Sequence, residues 1–218
     1  MADLSKVTGE GWPRMSLYGF PKEYWYERFA TLFSDFQMAY AHQRGKPRWA
    51  DKTPLYALHL DFIDALYPDC QVVHVIRDGR DVVASHRDRW GYVAAVKAID
   101  KWPRFVTKAR AFGRTMPPDR YMEVRYENLV GNTEITLRKL LDFLGEPWDA
   151  AVLNHEDSPH EVMERYKQFS SSRRDAAGPD GAAVYQSRVG AHRRESDPLL
   201  RTLIRWRAGK QLRELDYR

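Results

Sequence analysis

Between residues 23 and 42 the apolar side chains Trp25, Phe29, Leu32, Phe33, Phe36 and Tyr40 recur at spacings of three and four, which predicts a helix with one buried face. Gly45 and Pro47 predict its end. Residues 48–51 read as a first short strand. Thr53 is a good N-cap, and Pro54 sits at the first helical position, where a missing N–H costs nothing, so a second helix is expected from there. Leu55, Leu58, Phe62 and Leu66 form its apolar face, and Pro68 disfavours helical geometry in the residue before it.

Residues 70–76 are short, apolar and β-branched, the pattern of a strand buried on both faces of a parallel sheet. A helix is expected over 82–90, and another over 92–112 that should break or kink at Pro103. Residues 120–126 read as a further strand. Asn132 or Thr133 can cap a helix through Leu137, Leu140, Leu141 and Leu144, stopped by Gly145. Ser158 and Glu161 have capping-box spacing for a helix to about Phe169, residues 170–183 read as a loop, and Asp197-Pro198 starts a last helix with Leu199, Leu200, Leu203, Ile204 and Leu212 facing the core. Short connections between alternating strands and helices predict an α/β fold with a parallel sheet. Residues 1–22, punctuated by Gly9, Gly11, Pro13, Gly19 and Pro21, read as an irregular lead-in to a single domain over 23–218.

Composition narrows the partners. The 218 residues are 43% hydrophobic and 30% charged, and no stretch approaches the roughly 20 apolar residues of a membrane helix, so a spanning protein is not expected. One cysteine, Cys70, excludes an internal disulfide, and the first ten residues lack a secretory pattern, so a cytoplasmic location is expected. A net charge of +5 without a basic stripe suits a small polyanion better than nucleic acid.

In parallel sheets, ligands bind beyond the carboxyl ends of the strands. Two loops take that position in this reading: Asp51-Lys52-Thr53, and Arg77-Asp78-Gly79-Arg80-Asp81. Neighbouring strands would bring Lys52 and Arg77 to one crevice, where an anion would also meet the free N–H groups of two helix starts. Ser85 and Arg89, four apart, share a helix face. A hydroxyl with forked guanidinium donors is good chemistry for a terminal phosphate.

These segments carry a family resemblance. Residues 47–54 (PRWADKTP), 73–85 (VHVIRDGRDVVAS) and 124–130 (VRYENLV) together resemble the sulfotransferases that use 3′-phosphoadenosine 5′-phosphosulfate, in the bacterial branch related to tyrosylprotein sulfotransferases. The resemblance implies a P-loop-NTPase-like three-layer fold, a central parallel sheet flanked by helices. It implies that Arg77 and Ser85, eight apart after a strand, hold the 3′-phosphate, that Arg89 adds a basic contact, and that Tyr126 packs near the adenine. Lys52 matches the lysine that stabilises the sulfuryl group in flight, work that requires a cation aimed at the oxygens where charge builds. Ser187 and Arg188 match a late basic nucleotide contact, and one of Ser170, Ser171 and Ser172 a serine near the transferring group. No metal is implied.

One departure matters. The family opens with a strand and a loop of the form G-x-P-R-S-G-T-T that cradles the 5′-phosphosulfate. Gly11-Trp12-Pro13-Arg14-Met15-Ser16 only echoes it, and the glutamate base that follows it in the related branch has no counterpart, so a truncated or impaired member is one expectation. The activity expected is transfer of a sulfuryl group to a hydroxyl or amine of a small-molecule or peptide acceptor. The alternatives are a non-catalytic binding module retaining the 3′-phosphate half-site, and a nucleotide kinase, which the absence of G-x-x-x-x-G-K-[ST] weighs against. Each residue also has an ordinary structural reading: Arg77 as an ion pair with Asp78 and Asp81, Lys52 as a solvated cation, Tyr126 as a core aromatic.

Overall fold

The computed structural model describes residues 19–157, 189–194 and 197–217. The chain divides into two compact units, Met1–Cys70 and Gln71–Arg218. In the first, helix α1 spans Lys22–Gln43 and ends as the sequence predicts, with Gly45 in the left-handed region at φ 65° and the Lys46 amide returning to the Ala41 carbonyl. The helix expected from Pro54 starts there but as a 3₁₀ turn, Pro54–Leu58, broken at His59 before α2, Leu60–Leu66. Thr53 caps through its backbone carbonyl, not its hydroxyl. Aromatic edges tie the unit together, Phe33 to Trp49 and Trp49 to Tyr67, and the Tyr67 hydroxyl donates to the Ala30 carbonyl. Residues 48–53 form no strand, which removes the first strand from the sheet the sequence predicts.

The second unit holds the parallel sheet. β1 is Val72–Ile76 and β2 is Tyr121–Arg125, paired in parallel from Val72 opposite Tyr121 to Ile76 opposite Arg125. Between them run α3, Gly79–Trp90, and α4, Tyr92–Gly113. The second of these passes unbroken through Pro103, against the break the sequence suggests. Packing of Ala98, Ile99, Trp102 and Val106 on one face outweighs the hydrogen bond that proline forfeits. After β2 come α5, Tyr126–Gly131, and α6, Thr133–Leu144, stopped at Gly145, and α7 closes the chain over Pro198–Glu214. The Asp197 carboxylate accepts from the Leu199 and Leu200 amides, as a cap before Pro198 should.

The core of this unit lies where β1, α3, α4 and α7 meet, around Ile76, Val83, Ile99, Leu200 and Ile204. Two expectations change. Leu199 is exposed, because the helix buries Leu200, Ile204 and Leu212 instead, and Val75 on β1 is 51% exposed, where a strand buried on both faces was expected. Among the described residues no helix is long and apolar enough to cross a membrane. The helix predicted from Ser158 and the loop over 170–183 lie outside the described residues.

Candidate functional site

Strand register builds the site. Ile76 opposes Arg125, so Arg77 and Tyr126 are the first residues beyond the carboxyl ends of two paired strands, and Asp78 and Glu127 the next. The side chains use this proximity: the Arg77 guanidinium carbon lies 4.9 Å from the Tyr126 ring centroid, and the Asp78 amide donates to Glu127 Oε1 at 2.9 Å. Glu127 is held from the other side by the Tyr217 hydroxyl, which donates to its Oε2 at 3.0 Å.

The backbone at this tip is fixed from α4. Trp102 Nε1 donates to the Arg77 carbonyl at 3.0 Å, and the same indole lies flat against Gly79, where a Cβ would come within 2.6 Å of the ring. Asp78 caps α3 by accepting from the Arg80 amide, and grips the Arg80 side chain at 2.6 Å. One of the helix-start N–H groups that the sequence offers to an anion is therefore taken by the protein's own carboxylate. The pairing with Asp78 raises the Arg80 guanidinium above its ordinary range.

Asp81, in the first turn of α3, is 1% exposed. It accepts from the Gly190 amide at 2.8 Å, the His192 amide at 2.9 Å and His192 Nδ1 at 2.7 Å, and Arg77 stands 3.7 Å away. Burial alone would raise this carboxyl. The backbone and ring donors of His192, with the Gly190 amide and Arg77, outweigh it and hold the group below the ordinary carboxylate range.

Of the residues the sequence singles out, the structure brings Arg77 and Tyr126 into contact and sets Ser85 and Arg89 on α3, one turn apart and both partly exposed. Arg89 stacks over Trp90 at 5.9 Å. Lys52 is exposed in the first unit and follows no strand, so the argument that puts it at a strand tip does not hold. Ser187 and Arg188 lie outside the described residues, as do Ser170, Ser171, Ser172 and the residues 11–16. Sequence reading missed Glu127, Trp102, His192 and Tyr217. Only Glu127 had a usable signal, since it follows Tyr126 by one as Asp78 follows Arg77.

Comparison with known proteins decides the family. Residues 5–150 match the profile of the Sulfotransferase family, about two thirds of the chain. The chain is a member of the sulfotransferase family. The chain is 32% identical over 122 residues to a protein-tyrosine sulfotransferase of Drosophila melanogaster, covering 53% of this chain and 24% of that protein. It is 31% identical over 137 residues to a putative protein-tyrosine sulfotransferase of Caenorhabditis elegans, covering 60% and 53%. The chain thus spans between about a quarter and half of the curated relatives it matches. A sulfotransferase domain from the olefin synthase of Synechococcus PCC 7002 superposes with a TM-score of 0.52 at 24% identity, over 75% of this chain and 64% of that one, and shares its fold. The fold is α/β with a parallel sheet, as expected from the sequence.

Proposed function

We propose that this sulfotransferase takes 3′-phosphoadenosine 5′-phosphosulfate as its donor and that the tip of β1 with the start of α3 holds the nucleotide's 3′-phosphate. Arg77 supplies forked donors to the phosphate oxygens, Ser85 adds a hydroxyl two helical turns on, and Arg89 contributes a further cation. Tyr126 is carried over from the family resemblance as the residue that packs near the adenine, and Ser187 and Arg188 as the late contact. The observation that supports this reading most is the placement of Arg77: its carbonyl is tied to Trp102, its guanidinium lies over Tyr126, and its side chain is still 18% exposed. A guanidinium so restrained loses little further entropy on closing around an anion.

The reaction is an in-line displacement. An acceptor hydroxyl or amine attacks sulfur, its oxygen–sulfur or nitrogen–sulfur bond forms as the bond to the 5′-phosphate breaks, the acceptor proton leaves to a base, and 3′-phosphoadenosine 5′-phosphate departs. Lys52, by the family resemblance, is the cation that stabilises the sulfuryl oxygens, and positioning with electrostatics carries the rate. The names of the relatives favour a tyrosine hydroxyl of a peptide as the acceptor. A transfer assay with sulfur-labelled donor tests the reading on tyrosine peptides and small hydroxyl or amine acceptors. Label in an acceptor, lost on Lys52→Ala, supports it, whereas binding of the nucleotide with no transfer to any acceptor would make the chain a binding module.

A further inference from the structure

We infer that Asp81 is a positioning residue of the nucleotide site, through which the segment Gly190–His192 and the Arg77 side chain are held in one arrangement. The inference rests on the reading that Arg77 meets a phosphate. Asp81 occupies the first turn of α3, buried to 1% exposure, and it is not placed to touch a ligand itself. One oxygen, Oδ2, accepts from the Gly190 amide at 2.8 Å and faces Arg77 at 3.7 Å. The other, Oδ1, accepts from both the amide and the ring of His192, at 2.9 and 2.7 Å. A single carboxylate thus joins residues 109 and 111 positions apart to the residue at the tip of β1.

The geometry depends on Gly190. Its φ of 73° lies in the left-handed region, and the turn it makes brings two amides, two residues apart, onto one carboxylate. A side chain at this position would have room, since a Cβ meets nothing nearer than 3.7 Å, so the conformation alone selects glycine. On the helix side, the Asp78 carboxylate is engaged with the Arg80 side chain, while Asp81 stands 3.7 Å from Arg77. Replacing it by asparagine keeps the shape but presents an amide NH₂ to other donors. At least one of the three N–H bonds is lost, and Arg77 loses the carboxylate charge 3.7 Å away.

The consequence for binding is specific. Positioning of Arg77 affects the part of the nucleotide that Arg77 holds, so a 3′-phosphate should feel the loss and a nucleotide without one should not. Calorimetric titration of the full chain with 3′-phosphoadenosine 5′-phosphate and with adenosine 5′-phosphate reads this difference. Wild type should prefer the former. Asp81→Asn should weaken it about tenfold or more while changing adenosine 5′-phosphate by less than about threefold. Gly190→Ala leaves the carboxylate and Arg77 intact and disturbs the segment from its own side, and should weaken the bisphosphate about threefold to tenfold. Amide exchange at Gly190 and His192 should quicken in both variants, and decides the matter with Gly190→Ala if Asp81→Asn does not fold. Equal loss for both nucleotides, or unchanged bisphosphate affinity in a variant whose amides exchange faster, would overturn the inference. Wild type binding both nucleotides alike would instead remove the phosphate reading, and the inference with it.

Discussion

The guanidinium of Arg77 lies over the ring of Tyr126, 4.9 Å from its centroid, because the two residues leave paired parallel strands at the same level. The contact gives Tyr126 a role independent of its hydroxyl. Tyr126→Phe keeps the face of the ring and should leave affinity for 3′-phosphoadenosine 5′-phosphate within about twofold, whereas Tyr126→Leu should lower it by about 1 kcal/mol. Arg77→Lys keeps the charge and loses the fork, and should cost about tenfold or more. Calorimetry on the three variants checks the order.

Gly79 and Trp102 make a second, purely structural prediction. A methyl at Gly79 would stand 2.6 Å from the indole, whose Nε1 also holds the Arg77 carbonyl, so ring and helix start cannot both stay in place. Gly79→Ala should destabilise the protein by about 1–3 kcal/mol, and Trp102→Phe, which loses the hydrogen bond, by about 1 kcal/mol or more. Urea unfolding of each variant measures it.

Acid should weaken the second unit well above the carboxylate range. His74 on β1 shares a hydrogen bond of 2.7 Å with the Tyr121 hydroxyl, beside Glu123, Arg110 and Arg125. Burial lowers its pKa to about 4, Glu123 opposing and the two arginines adding to the fall. The unfolded chain therefore binds the proton first. The stabilisation is fully present above about pH 6.5 and is lost as pH falls to about 4, with a total on the order of 3 kcal/mol. Asp81, held low, contributes only below about pH 4. Urea midpoints between pH 7 and 4.5 should fall in wild type and flatten in His74→Asn.

Much of this was legible in the chain. The strands at residues 72–76 and 121–125, the long helices and the caps at Asp197 and Gly145 follow from local rules of periodicity and terminal chemistry. The contact of Arg77 with Tyr126 was not legible, because register between strands some fifty residues apart has no local signature. Sequence reading failed where tertiary contact overrides local preference. Pro103 sits inside an unbroken helix since its neighbours fill the core, and the α3 start falls at Gly79, three residues before the apolar pattern begins, since Asp78 caps it. Asp81 reads as an ordinary ion-pair partner of Arg77. Its three N–H donors come from more than a hundred residues away and have no mark in the sequence around it.

The central claim is that Arg77 and Ser85 jointly hold a 3′-phosphate. Titrating wild type, Arg77→Ala and Ser85→Ala with 3′-phosphoadenosine 5′-phosphate tests it most directly. The account predicts measurable binding in wild type, a loss of about a hundredfold in Arg77→Ala and about tenfold in Ser85→Ala, as charged and neutral donors to phosphate should differ. Equal affinity in all three proteins would contradict it.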